Sequence, residues 1–285
     1  MSAVLSALPE LPELVQPAQT INGKRIRVPP RVNLGDITVN NLGTVRKLHN
    51  VLFPVSYLPG FYSALVDDRA HHPEDYCKLV FYQDLPVGVL VCRLEEADRV
   101  APKTLSEAVA KEQQAAKTAD DGADGKKEVD DQKTYKLYVM TLGVLAPYRH
   151  QGLGSKLIHQ VLATAAASLA QPAPSPSPSS AATVNGSSKP SGAKSAKKSD
   201  ENGQAAEQQK KREKDEEERE PLKPRVESVY LHVQVENDEA KQFWEKWGFE
   251  VKETVPDYYR KISPRDAWLL ERKVAPAATP APSSA

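Results

Sequence analysis

Stretches with a regular apolar period alternate along this chain with stretches that have none. Leu42, Val45, Leu48 and Leu52 recur at helical spacing after Thr38, a good capping residue, which predicts a helix through about Val51. Phe53-Pro-Val-Ser-Tyr57 breaks it, and Phe61, Tyr62 and Leu65 mark a short second helix. Ahead of them, Arg31–Val39 suits a first strand. Lys78–Tyr82 and Val87–Leu94, joined across Gln-Asp-Leu-Pro, read as a hairpin. Lys136–Ala146 predicts a strand and Ser155–Ala166 a helix whose Leu157, Ile158, Val161, Leu162 and Ala165 share one side. Val229–Val235 is a further strand; Asn237 caps a helix to Lys246 that stops at Gly248. Phe249–Val255 and Ala267–Val274 close the pattern as strands. A strand–helix–strand–helix core with a hairpin before and after it predicts an α/β sheet of mixed strand direction.

Four stretches carry no period: an N-terminal tail at 1–30, insertions at 96–134 and 171–224, and a tail at 275–285. They are rich in Pro, Ser, Ala, Lys, Asp, Glu and Gln. Such compositions bury too little apolar surface to offset an ordering cost of about 1–2 kcal/mol per residue, so all four are expected to be disordered. Removing them leaves roughly 155 residues, one domain spanning 31–274 with two long interruptions. The 38 basic and 38 acidic residues balance, which excludes a chain devoted to coating nucleic acid or an anionic membrane. Two cysteines, Cys77 and Cys92, make neither a disulfide framework nor a metal motif and suit a reducing compartment. No run of about 18 apolar residues and no basic–apolar leader is present, so the expectation is a soluble, cytoplasmic protein. Lys197-Lys198 with Lys210-Lys-Arg212 would serve for nuclear entry, although acidic neighbours suit a solvated spacer better.

The candidate chemistry sits where the Lys136–Ala146 strand feeds the next helix. Arg149-His-Gln-Gly152-Leu-Gly154-Ser155 lets successive backbone N–H groups converge without Cβ obstruction, and the helix N-terminus adds positive potential. That pattern suits a phosphate, with Arg149 as counter-charge; a plain turn needing two glycines reads the same way. Alternation in Val229–Val235 gives an apolar face (Val229, Leu231, Val233, Val235) and a polar one (Tyr230, His232, Gln234). In the neighbouring strand Leu137 and Val139 lie opposite Tyr138, Met140 and Leu142. The polar set predicts a wet crevice on one side of the sheet, or else an ordinary solvated face.

Arg-x-x-Gly-x-Gly between a strand and a helix, followed by a strand and an Asn-capped helix, resembles the GNAT acyl-CoA N-acyltransferases. Phe53-Pro-Val-Ser-Tyr57, Leu137-Tyr-Val-Met-Thr-Leu-Gly-Val-Leu-Ala-Pro-Tyr-Arg149, Tyr230-Leu-His-Val-Gln234 and Asp257-Tyr-Tyr-Arg260 resemble the catalytic subunits of NatE-type (San-type) N-alpha-acetyltransferases. The resemblance implies a GNAT fold, a mixed sheet of about seven strands flanked by about four helices. It implies acetyl-CoA as co-substrate and no metal. The CoA pyrophosphate would rest on Arg149, His150, Gln151, Gly152, Leu153, Gly154 and Ser155, and the pantetheine arm would pair with Leu142, Gly143, Val144 and Leu145. Asn237, Ala240, Phe243, Trp244 and Lys246 would flank the thioester end. Many family members carry a Tyr in that last helix, where this chain offers Phe243-Trp244, and tryptophan has no hydroxyl. Tyr138 and His232 would pass the amine proton through water, and the Leu142 amide would meet the oxyanion. Phe53, Pro54, Val55, Tyr57, Met140, Tyr258 and Tyr259 would hold the acceptor.

The implied activity is direct acetyl transfer to the α-amine of nascent or mature polypeptides, Met-initiated ones foremost. NatA catalytic and auxiliary subunits and the ribosome would be its partners. Two other readings use the same residues: an adaptor subunit of a ribosome-associated NatA-type complex, or a lysine acetyltransferase. Cys77 and Cys92 read as core residues, and Arg93 as a structural or peptide-contacting cation.

Overall fold

The computed structural model describes residues 8–12, 18–21, 24–27, 31–109, 133–170 and 224–276, with the side chains of 18–27 not described. The predicted insertion at 171–224, apart from its last residue, and the tail beyond 276 lie outside the described residues, as does 110–132. Two of the stretches read as patternless nonetheless contain structure. Within 1–30, β1 (Ala18–Ile21) pairs antiparallel with β2 (Lys24–Arg27). Within 96–134, residues 97–109 run on from the sheet and begin a helix at 105.

The main sheet is built from β3 (Val32–Asp36), β4 (Lys78–Tyr82), β5 (Leu85–Glu96), β6 (Thr134–Val144), β7 (Arg225–Gln234), β8 (Glu250–Val255) and β9 (Ala267–Lys273). Their order is β3-β4-β5-β6-β7-β9-β8, so the expected seven strands of mixed direction are present. Every neighbouring pair is antiparallel except β6–β7. The β4–β5 hairpin turns on Gln83 and Asp84, both with positive φ (47° and 69°), a turn whose twist matches that of the strands. Among the described residues the helices are α1 (Leu42–Leu52), α2 (Pro59–Asp67), α3 (from residue 105), α4 (Leu153–Ala170) and α5 (Asp238–Lys246). That is one more than the pattern predicts, the addition being α3.

The helices cover both faces. On one, Leu153, Leu157, Ile158, Val161, Leu162 and Ala165 of α4 pack on Leu137, Val139, Val229, Leu231 and Val233. Each buried aliphatic side chain contributes about 1.5–3 kcal/mol, so this stripe is what holds α4 against β6 and β7. On the other face Val45 and Leu48 of α1 and Phe61, Tyr62 and Leu65 of α2 cover Leu79, Val89 and Val91. Cys77 and Cys92 are both buried and unlinked, with the Cys77 thiol 3.2 Å from the Cys92 carbonyl, as core residues should be.

Candidate active site

The site exists because β6 and β7 part company. Their parallel pairing runs from Thr134–Arg225 to Tyr138–Tyr230 and stops. Just beyond, β6 carries a bulge: Cys92 of β5 pairs with Val139 and Val91 with Thr141, so Met140 is the extra residue. A bulge raises the local twist and bends the strand, which turns the end of β6 away from β7. It also reverses the alternation. Tyr138 and Met140 border the crevice face, but Leu142 and Val144 pack with the α4 core. The expectation that Leu142 shares a face with Tyr138 is therefore corrected; an unbroken period cannot anticipate an inserted residue.

The bulge leaves useful backbone. Leu145 donates its N–H to Val87 at 2.8 Å, toward β5. Strand N–H groups alternate in direction, so those of Val144 and Leu142 point into the gap where β7 has withdrawn. Arg149 folds back over this edge, its Nε donating to the Val144 carbonyl at 3.0 Å. Gly143 lets Leu52 and Phe53 close over the strand: a Cβ there would lie 2.9 Å from Leu52 Cδ1 and 3.1 Å from Phe53 Cζ, so those side chains would have to shift. The turn beyond uses two left-handed residues, His150 (φ 59°) and Gly152 (φ 82°), to aim the chain into α4. The first turn of α4 has no acidic residue to neutralise its N-terminus. Across the gap, Asn237 accepts the Ala240 N–H at 3.2 Å and caps α5. Phe243 of α5 approaches Gly154 to 3.6 Å of where a Cβ would stand.

These elements enclose a cavity of about 470 Å³ that runs from the glycine loop to the loops after α1 and β8. Of the predicted cofactor residues, Leu142, Gly143, Val144, Arg149, His150, Gly152, Leu153, Gly154, Ser155, Asn237, Ala240, Phe243 and Trp244 line it. Leu145, Gln151 and Lys246 do not. Leu145 is turned to the core, the Gln151 amide is spent on the Pro147 carbonyl at 3.1 Å, and Lys246 is exposed in the last turn of α5. Trp244 is mostly core, packed edge-on against Phe249 at 5.0 Å. All seven predicted acceptor residues (Phe53, Pro54, Val55, Tyr57, Met140, Tyr258 and Tyr259) line the other end, together with Tyr138 and His232.

Tyr138 and His232 meet edge-on, with centroids 5.7 Å apart, and Tyr258 joins them. Its ring stacks on His232 at 4.1 Å and its hydroxyl is 2.7 Å from that of Tyr138. Burial pushes the Tyr258 phenol up, with Tyr138 adding to the effect, so it keeps its proton at neutral pH. Burial pulls His232 down to about 4, against a smaller opposing pull from Glu95. His232 is thus neutral at pH 7, and both its ring nitrogens are buried without a protein partner.

The crevice is drier than the sequence predicts. Tyr138 and Tyr230 are both buried, stacked at 4.9 Å, because Ala108 of α3 covers them. Behind them the buried Arg93 pairs with Glu95, donates to the Ala108 carbonyl and lies 5.4 Å over the Tyr138 ring; Glu95 accepts from the Tyr230 hydroxyl. Arg93 is therefore a structural cation. Glu95 was not anticipated, though two charges at period-two spacing in an apolar strand are a signal. Nor was His49, fully buried among Phe53, Tyr57, Phe61 and Tyr62 with Nε2 3.2 Å from the Thr141 hydroxyl. It occupies the third place in the stripe Val45, Leu48, His49, Leu52.

Residues 42–171 match the acetyltransferase (GNAT) family. The chain carries a GNAT acetyltransferase domain. It is similar to N-alpha-acetyltransferase 50 of Danio rerio, with 27% identity over 252 residues, 88% of this chain and 94% of that protein. Against the probable N-acetyltransferase san of Drosophila melanogaster, identity is 25% over 248 residues, 86% of this chain and 84% of the relative. Among solved structures, Arabidopsis thaliana Naa50 in complex with the bisubstrate analogue CoA-Ac-MVNAL aligns with a TM-score of 0.48 at 25% identity, covering 85% of this chain and 97% of the other. In this GNAT domain, then, the gap between β6 and β7 and the glycine loop lie in one continuous cavity with the aromatic end. Among the described residues no cluster of His, Cys, Asp or Glu could hold a metal.

Proposed function

We propose that this protein is an acetyl-CoA-dependent N-alpha-acetyltransferase acting on the first residue of polypeptides, with Met-initiated chains preferred. The observation that carries this reading is the single cavity with two unlike ends. One end offers backbone N–H groups, a helix N-terminus and Arg149; the other offers an apolar, aromatic surface. The similarity to N-alpha-acetyltransferase 50 of Danio rerio supports the reading over most of the chain.

At the first end the amides from His150 to Ser155 and the Arg149 guanidinium would hold a pyrophosphate, the Arg149 N–H being spent on the Ala146 carbonyl at 3.2 Å, and the outward N–H groups of Leu142 and Val144 would pair with an amide-bearing arm. Acetyl-CoA supplies an activated acyl carbon there. At the other end Phe53, Pro54, Val55 and Tyr57 would receive the first side chain, and Tyr258 and Tyr259 would hold the early backbone. An α-amine titrates near 8, so most of it carries a proton at pH 7 that must be removed. Neutral His232, with two unpartnered ring nitrogens beside the Tyr138–Tyr258 hydroxyl pair, would take that proton through water. A polyamine or lysine site would want carboxylates at this end, and among the lining residues the acidic one is Glu239, at the glycine-loop end and 3.5 Å from His150.

The test is acetyl transfer by purified protein to peptides with free Met, Ser or Ala starts, beside the same peptides with a blocked N-terminus and an internal lysine. Product on the free α-amines alone is expected; product on the blocked peptide would make this a lysine acetyltransferase. The adaptor reading requires no acetyl transfer at all. Phe53→Ala should cut kcat/KM on Met-initiated peptides tenfold or more, of the order of a lost apolar contact in a pocket, and leave acetyl-CoA affinity within twofold. Equal losses on Met- and Ser-initiated peptides would remove the first-residue pocket from this place.

Arg149→Ala should weaken acetyl-CoA binding by about 10- to 100-fold, the worth of a charge-assisted contact. Gln151→Ala should change it little, because Gln151 is bonded to Pro147 and outside the cavity. Titration calorimetry on the two variants decides it, and identical dissociation constants would refute the pyrophosphate assignment.

A further inference from the structure

The segment that follows β5 and runs into α3, residues 97–109, was expected to be part of a structureless insertion, yet it is fastened to the acceptor end of the cavity. Its local signal is Thr104-Leu-Ser-Glu107: the Thr104 hydroxyl accepts the Glu107 N–H at 3.1 Å, and the Glu107 carboxylate accepts the Lys103 N–H at 3.1 Å. That is a reciprocal helix-start arrangement, displaced by one residue from the usual capping box. The start of α3 is then held from three sides. Leu105 donates its N–H to the Tyr258 carbonyl at 3.0 Å. Ala108 is fully buried against Tyr138 and Tyr230, and its carbonyl receives the buried Arg93 guanidinium. At the base of the insertion Ala97 donates to the Thr134 carbonyl at 3.2 Å. The Leu105 side chain packs with Val255, Tyr258 and Tyr259 and lines the cavity itself.

We infer that this segment is a third wall of the acceptor site and that Leu105 is a specificity-determining residue, selecting polypeptides with an uncharged, apolar side chain near the N-terminus. The inference rests on the N-alpha-acetyltransferase reading. Its physical basis is what Leu105 can and cannot offer. A branched apolar group fastened through its own backbone to Tyr258 gains from apolar contact and gives a charged side chain no partner. Arg93 is buried on Glu95 and the Ala108 carbonyl, Arg99 lies 3.8 Å from the same carboxylate, and among the residues that line the acceptor end of the cavity none is Lys, Arg, Asp or Glu. Leu105 stands with Tyr258 and Tyr259 at the acceptor end of the cavity, the glycine loop being at the other end, so its effect should fall on the peptide and not on CoA.

The experiment is a panel of Met-initiated peptides in which the second, third and fourth residues are each Leu, Ser, Asp or Lys, assayed with the full chain and with Leu105→Ala, Leu105→Lys and Leu105→Met. At one position Leu105→Ala should lower the Leu-over-Ser preference by about 10-fold, the worth of a few methylenes. Leu105→Lys should raise the Asp-over-Lys ratio there by a similar factor. Leu105→Met should retain the wild-type ranking, and all three should bind acetyl-CoA as the wild type does, which reports that the fold is intact. An active wild type whose ranking is the same in Leu105→Ala and Leu105→Lys would overturn the inference alone. A wild type that binds acetyl-CoA and acetylates no peptide would overturn the enzyme reading, and this inference with it.

Discussion

His232→Ala and Tyr138→Phe are each expected to lower kcat by about 10²–10⁴-fold, the range of a lost general base, while acetyl-CoA affinity stays nearly unchanged. The two side chains stand at the acceptor end, and neither touches the glycine loop. Because both would serve one water-borne proton path, the double variant should lose far less than the product of the two losses. Tyr138→Phe also deprives the Tyr258 hydroxyl of its 2.7 Å partner, so Tyr258→Phe is the variant that separates loss of the relay from loss of the pairing. The pH profile carries a further check. With burial holding His232 near 4, it is already neutral where the substrate amine titrates. The acid limb of kcat/KM should therefore follow the amine, at about 8, and move down when a peptide of lower amine pKa is used. If both single variants keep wild-type kcat at saturating substrates, the pair merely lines the crevice, and proximity to the thioester does the work.

Acidification should destabilise this protein well above the pH range in which carboxylates alone would do so. Burial holds His49, His72 and His232 down to about 4, although the Cys92 carbonyl 2.9 Å from His72 Nδ1 acts the other way. All three are neutral when folded and titrate near 6.5 when unfolded, so the unfolded chain binds protons that the folded one refuses. The stability they permit is complete above about 6.5 and lost progressively as pH falls from 6.5 toward 4. Each costs of the order of 3 kcal/mol at the acid limit, and the three together approach 4 kcal/mol per pH unit near pH 5. Against a usual total of about 5–15 kcal/mol, a loss of that size removes a large share of the stability between pH 6 and 4. Denaturant titrations from pH 7.5 to 4.5 measure it directly. The double variant His49→Gln with His72→Gln should show a shallower slope even if its stability at pH 7 is lower. A slope unchanged by those substitutions would place the protons elsewhere.

The sequence by itself determined most of the elements and one end of the site. Helical and strand periods place the seven strands and α1, α2, α4 and α5, because each needs only local spacing and a cap such as Asn237. The Arg149–Ser155 turn is equally local: its glycines, its Arg and the helix after it are contiguous, so the proposed anion site is legible in one stretch. What only the tertiary structure decided depends on residues far apart in the chain. The bulge at Met140 is defined by its register against Cys92 and Val91, and it alone turns Leu142 to the core while leaving its N–H in the gap. His49 and Glu95 become buried titratable groups through contacts with Thr141 and Tyr230, which no period along α1 or β5 reveals. Residues 97–109 look polar enough to be left in solvent. They are ordered because Arg93, Tyr138, Tyr230 and Tyr258 offer a buried carbonyl partner and an apolar seat that a composition count cannot see.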